Sequence, residues 1–163
     1  MTLHIRRICA LAVIGLATAA CRSDNADRAG IAYTGTDAAP ADTVVVYKTP
    51  TCGCCSDWVD HVAENGFAVV VHDLNDLTAT KRELGVPAGR ISCHTATVRG
   101  YTIEGHVPAD LIHRLIAEKP RGVKGLAVPG MPMGSPGMEG LVRQNYDVLA
   151  FDDQGNVEVY AKR

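Results

Sequence analysis

The sequence predicts one α/β domain, with a central mixed sheet flanked by helices and finished by a C-terminal β-hairpin. Three observations carry this. Strand-like β-branched runs alternate with amphipathic helical stretches between residues 43 and 118. A cysteine-rich turn, Cys52-Gly53-Cys54-Cys55, separates the first strand from the next helix. The chain closes with two more strand-like segments around Asp152-Asp153-Gln154-Gly155-Asn156, a hairpin signal.

The elements follow in order. Thr43-Val44-Val45-Val46-Tyr47 is a continuous β-branched run, which suits a strand covered on both faces. Beyond the cysteines a helix is expected from about Cys54 to Asn65. Cys55, Val59, Val62 and Ala63 share its apolar stripe, and Asp57, Asp60, His61 and Glu64 lie opposite. Asn65-Gly66 stops it. A strand at Phe67 to His72 and a short helix at Thr78 to Leu84, closed by Gly85, come next. Thr95 to Val98 and Tyr101 to Ile103 read as strands around Arg99-Gly100. Pro108 opens a helix through Glu118 with Leu111, Ile112, Leu115 and Ile116 on its apolar side, and Pro120 ends it. Residues 122–140 are Gly/Pro-rich and read as irregular. Tyr146 to Phe151 and Val157 to Tyr160 form the closing hairpin. The order β-α-β-α-β-β-α, with cysteines after the first strand, is thioredoxin-like.

The N-terminal residues stand apart. Arg6 and Arg7 precede a short apolar run, Ile8 to Ala20, that ends in small residues. A bilayer core of about 30 Å needs roughly 20 apolar residues, so the run reads as an export signal over residues 1–20. Thr18-Ala19-Ala20-Cys21 resembles a lipobox, which makes Cys21 a candidate for lipidation. Ala17-Thr18-Ala19 equally suits an ordinary signal peptidase. Residues 21–42 are poor in large apolar side chains and read as a flexible tether. The folded domain is expected over residues 43–163. The protein is thus expected to be exported to the periplasm, with any membrane attachment made through the lipid on Cys21. A net charge of -2 with scattered basic residues gives no footprint for nucleic acid.

Six cysteines are present, and four belong to the domain: Cys52, Cys54, Cys55 and Cys93. In an oxidising compartment they allow three full disulfide pairings, among which sequence does not choose. Cys52 and Cys55 have C-x-x-C spacing at a helix N-terminus, where exposed N–H groups favour a thiolate. That alone describes a dithiol oxidoreductase acting on exported proteins. Cys54 changes the argument, because disulfide exchange needs two cysteines rather than three. Several thiolates on one turn suit a soft ion, either Cu(I), zinc or an iron–sulfur cluster. Cys93, in Ser92-Cys93-His94-Thr95, precedes the third strand and is expected to face the turn and complete a four-sulfur site. No proline follows it, where thioredoxin-like folds carry one that helps bind extended substrate chains.

Met131, Met133 and Met138 lie in a loop rich in Gly and Pro. Their thioethers are secondary ligand candidates, or adaptable filler over the site. His94, beside Cys93, is the best histidine candidate for a ligand or proton carrier. His106 is read as making a structural hydrogen bond in preference to ligation, and His61, His72 and His113 as lying on solvated faces. Nothing suggests a Ser/His/Asp triad, a phosphate-cradling loop or an H-E-x-x-H helix.

Four segments together carry a family resemblance. They are Tyr47-Lys48-Thr49-Pro50-Thr51-Cys52-Gly53-Cys54-Cys55, Ser92-Cys93-His94-Thr95-Ala96, Glu104-Gly105-His106-Val107-Pro108-Ala109 and Gly125-Leu126-Ala127-Val128-Pro129-Gly130-Met131-Pro132. Over about Val44 to Tyr160 the chain resembles the CopG-type copper-resistance proteins, a thioredoxin-like family formerly described as a domain of unknown function. The resemblance implies Cu(I) binding by the cysteines, with zinc the lesser alternative. It also implies a periplasmic role in copper handling alongside other copper-handling proteins, with the metal's redox state cycled at the site.

Overall fold

A computed structural model describes residues 42–163. The expected signal at 1–20, Cys21, and the tether up to residue 41 lie outside the described residues. Ten elements follow in order: β1 (Thr43–Lys48), α1 (Gly53–Glu64), β2 (Ala68–Asp73), α2 (Thr78–Glu83), β3 (Thr95–Val98), β4 (Tyr101–Glu104), α3 (Ala109–Glu118), β5 (Gly125–Ala127), β6 (Asp147–Phe151) and β7 (Val157–Lys162). The strands make one seven-stranded sheet in the order β2-β1-β3-β4-β5-β6-β7. β1 pairs with β2 and β4 with β5 in parallel, and the other neighbours are antiparallel. This is the mixed sheet with flanking helices and a terminal hairpin that the sequence predicts. No helix among the described residues is long and apolar enough to cross a membrane.

The local reasons are plain. In β1 Val44 and Val46 are fully buried while Val45 and Tyr47 are partly covered, as suits an interior strand. Helix α1 buries Cys55, Trp58, Val59 and Val62, at the i, i+3, i+4, i+7 spacing of one helical face. Trp58 heads that stripe, and Ala63 packs only at its margin. The Asn65-Gly66 stop holds: Asn65 Nδ2 donates to the His61 carbonyl at 2.8 Å, and Gly66 takes φ 89°. Helix α3 starts after Pro108, at φ -61°, and buries Leu111, Ile112 and Leu115. Each such side chain contributes about 1.5–3 kcal/mol on leaving water.

One expectation is corrected. The stretch 122–140 is not wholly irregular, because β5 lies inside it. Gly125 pairs with both Thr102 and Phe151, and a Cβ there would collide with the Thr102 carbonyl and the Phe151 ring. Three residues are too few to show a period of two, so this strand is set by its neighbours. It joins the closing hairpin to the rest of the sheet.

Strand register gathers one end of the sheet. Tyr47 lies opposite Thr95, Thr95 opposite Glu104, and Glu104 beside Ala127. The turn after β1, the segment before β3, the segment after β4 and the loop after β5 therefore meet there.

Candidate metal centre

The cysteine turn is shaped by its backbone. Cys52 is the N-cap of α1, with φ -79° and ψ 96°, and its N–H donates to the Thr49 carbonyl at 3.2 Å. No side chain caps this helix and no acidic residue sits in its first turn, so its free N–H groups and dipole favour negative charge on the sulfurs. Cys52 and Cys55 are joined as a disulfide, with Cα atoms 5.3 Å apart. Cys54 and Cys93 are free thiols, and Cys54 Sγ lies 3.6 Å from Cys52 Sγ.

Cys93 comes to this turn from the other side. All four sulfurs, of Cys52, Cys54, Cys55 and Cys93, lie within 4.8 Å of one another. Cys55 is buried and the others are partly exposed, so the cluster is open to small solutes on one side. Burial first, and then the neighbouring Cys54, push the Cys93 thiol up to about 11.

Two histidines stand behind Cys93. His94 Nδ1 is 3.4 Å from its sulfur and His106 Nε2 is 2.9 Å from it. These three residues form a second donor group that shares Cys93 with the first. His106 Nδ1 lies 2.7 Å from the Pro136 carbonyl oxygen. A carbonyl only accepts, so Nδ1 carries the proton and Nε2 keeps a lone pair facing Cys93. His106 thus makes the structural hydrogen bond expected of it and also presents a free donor nitrogen, so the bond and the ligand role set against it in the sequence are compatible. Burial holds both imidazoles below their ordinary range; for His94 the shift is large, with His106 and Lys81 adding to it. Both rings are fully buried, and His94 Nε2 has no partner among the described residues. Trp58 packs on His94 with ring centroids 4.4 Å apart, and its indole N–H donates to the Val107 carbonyl.

The methionine loop closes over the site by its backbone. Pro136 supplies the carbonyl for His106, and Gly137 lies against the Cys54 carbonyl and the Trp58 amide. A bond from the Gly134 N–H to the Met138 carbonyl folds the loop back. Met131 is half exposed, Met133 and Met138 are partly buried, and the Met133 methyl lies beside Gly140.

Beneath Cys93 is a buried ionic network with no local signature in the sequence. Glu104 Oε1 accepts from Lys81 Nζ at 2.7 Å and from the Ser92 N–H at 2.6 Å. Its Oε2 accepts from Thr95 Oγ1 at 2.6 Å, and Lys81 also donates to Thr95 Oγ1. Burial pushes the Glu104 carboxyl up, against the pull of Lys81 and these hydrogen bonds. Lys81 lies in a Thr-Lys-Arg-Glu stretch that reads as surface, so nothing local marks it.

The remaining histidines among the described residues lie away from the sulfurs. His72 is exposed and stacks on Tyr47. His113 is exposed, stacks on Phe67 and bonds the Asn65 carbonyl. His61 departs from expectation: it is partly buried, and its Nε2 accepts the Ala109 N–H at 3.1 Å, capping α3. Its place on the polar side of α1 is turned toward α3 by packing.

A family model described as a protein of unknown function, DUF411, matches residues 90–138, which hold Cys93, both buried histidines and the methionine loop. No curated protein sequence matches. Two solved structures titled copper resistance protein CopG, forms 1 and 2, are each 42% identical, with a TM-score of 0.71. The alignment covers 98% of each of those chains and 77% and 76% of this one. At that identity over nearly their whole length, the chain belongs to the CopG family of copper resistance proteins.

Proposed function

We propose that this protein is an exported copper-handling protein that holds Cu(I) at Cys52, Cys54, Cys55 and Cys93 and cycles the redox state of the metal there. The observation that carries the reading is the convergence of four sulfurs within 4.8 Å at one end of the sheet. Thiolates are soft and select Cu(I), while imidazole nitrogens also suit Cu(II). The Cys93, His94 and His106 group beside the sulfurs therefore offers donors for both oxidation states. An all-cysteine set would also take zinc. The family favours copper.

The disulfide makes binding redox-linked. Opening the Cys52–Cys55 bond takes two electrons and gives two thiolates, the form in which cysteine binds metal. Two Cu(I) ions passing to Cu(II) supply two electrons, so the two changes balance. Met131, Met133 and Met138 remain secondary ligands in this reading. Export by the leader, lipidation at Cys21, a periplasmic location and exchange with other copper-handling proteins complete it.

The test is anaerobic titration of the reduced chain with Cu(I) against a competing chelator. Tight binding that is lost in a Cys52/Cys54/Cys55→Ser triple variant is the expected result. Affinity unchanged in that variant overturns the reading. A second reading, thiol–disulfide oxidoreductase, draws on the disulfide at the uncapped N-terminus of α1. Copper-independent turnover of a disulfide substrate that survives Cys54→Ser would favour it.

A further inference from the structure

We infer that Glu104 is a positioning residue for the metal centre, a buried carboxylate that brackets the Ser92–Thr95 segment and so fixes where Cys93 and His94 stand. The inference rests on the copper reading only in naming what Cys93 is positioned for.

The geometry is specific. One carboxylate takes the backbone N–H of Ser92 on Oε1 and the hydroxyl of Thr95 on Oε2. These are the two ends of a four-residue segment whose middle residues are Cys93 and His94. The segment is held between them as well, since the Gly105 N–H donates to the His94 carbonyl at 3.0 Å. Ser92 Oγ donates to the Gly130 carbonyl, which ties the same segment to the methionine loop. Glu104 is itself enclosed and bonded through both oxygens. It ends β4 opposite Thr95, is fully buried, and is neutralised by Lys81 reaching in from α2.

The chemistry asks for such a device. Cys93 stands outside regular structure, before β3, while the other three sulfurs ride on the start of α1. A sulfur on a loop loses more freedom on joining a cluster than one on a helix turn, unless the loop is held beforehand. Groups that orient metal ligands typically affect affinity 10- to 100-fold. A buried ion pair is weak evidence for stability, because apolar replacements of similar volume often serve as well. Its placement around Cys93 is what requires another explanation.

Three full-length variants separate positioning from packing. Lys81→Met/Glu104→Leu removes the charges and the bracket together. Lys81→Met/Glu104→Gln removes the charges but keeps a carbonyl that accepts the Ser92 N–H. Glu104→Asp keeps the charge but shortens the reach, so the carboxylate cannot hold both ends. Two quantities are read. One is the alkylation rate of Cys93 in the reduced, metal-free chain, followed by peptide mass spectrometry. The other is the Cu(I) affinity with its near-ultraviolet thiolate-to-copper absorption.

The Leu double variant is expected to alkylate faster at Cys93, to bind Cu(I) 10- to 100-fold more weakly and to change the absorption band. The Gln double variant is expected to stay close to the parent, and the Asp variant to fall between. If the Leu variant does not fold, the Asp and Gln variants decide by the same two readouts. Folded Leu or Asp variants that match the parent in alkylation rate and copper affinity overturn the inference. A parent chain that binds no Cu(I) sinks the copper reading alone, and the metal-free alkylation rates still decide the bracket.

Discussion

The sulfur of Cys93 lies 2.9 Å from Nε2 of His106. The other nitrogen of that ring is committed to the Pro136 carbonyl, so Nε2 has only Cys93 to face. Metal-binding histidines typically have this arrangement, with one nitrogen donating to a carbonyl and the other free. Replacing His106 by Ala removes that donor and leaves the carbonyl without its partner. Cu(I) affinity is expected to fall 10- to 100-fold, as measured by chelator competition. Parent-like affinity would mean that Nε2 serves only the thiol.

Gly137 tests how tightly the loop sits on the cysteine turn. A Cβ there would stand 2.6 Å from the Cys54 carbonyl oxygen and 2.8 Å from the Trp58 amide nitrogen. Gly130 has a similar positive φ but open space around it. Gly130→Ala should cost only the backbone strain, about 1–2 kcal/mol. Gly137→Ala should cost clearly more, and should weaken copper binding as well, because the loop must lift from α1. Denaturant unfolding of the two variants makes the comparison, and equal losses would contradict the contact.

Trp58 offers an optical reporter. It is the single tryptophan, and its ring lies 4.4 Å from that of His94. Copper held at Cys93 and His94 should quench its emission in step with metal added. In His94→Phe the quenching should weaken while the fold is kept. Emission that ignores copper in the parent would place the metal away from His94.

A pH dependence follows from His61. Its Nε2 accepts the Ala109 N–H at the start of α3, and burial holds its pKa below 6.5. Protonated Nε2 cannot accept, so folding disfavours the charged form. A folded pKa below the unfolded value means stability that is present above 6.5 and lost as pH falls through it. A lost helix cap is worth about 1 kcal/mol. The metal-free protein should therefore lose stability from pH 7 to pH 5, and His61→Ala should be less stable at pH 7 with a flatter profile. Thermal unfolding across that range checks the sign; a parallel slope in the variant would assign the pH effect to other groups.

The legible parts of this protein are those written in local chemistry. The β-branched run of β1, the apolar face of α3 after Pro108, and the Asn65-Gly66 stop each follow from residues within one element. The cysteine turn is legible for the same reason, since four adjacent residues carry its chemistry. The place of Cys93 just before β3 predicts that it faces that turn, and its sulfur lies beside it. By contrast, β5 has no pattern of its own and exists because β4 and β6 flank it.

The sequence by itself determined the mixed α/β class, the hairpin, the sulfur-rich turn and the family the chain resembles. Tertiary structure alone decided which nitrogen of His106 faces Cys93, that Lys81 is buried against Glu104, and that His61 caps α3. Composition and periodicity report what one segment prefers. These three juxtapositions instead join residues 13 to 48 positions apart in the chain, set by strand register and helix packing.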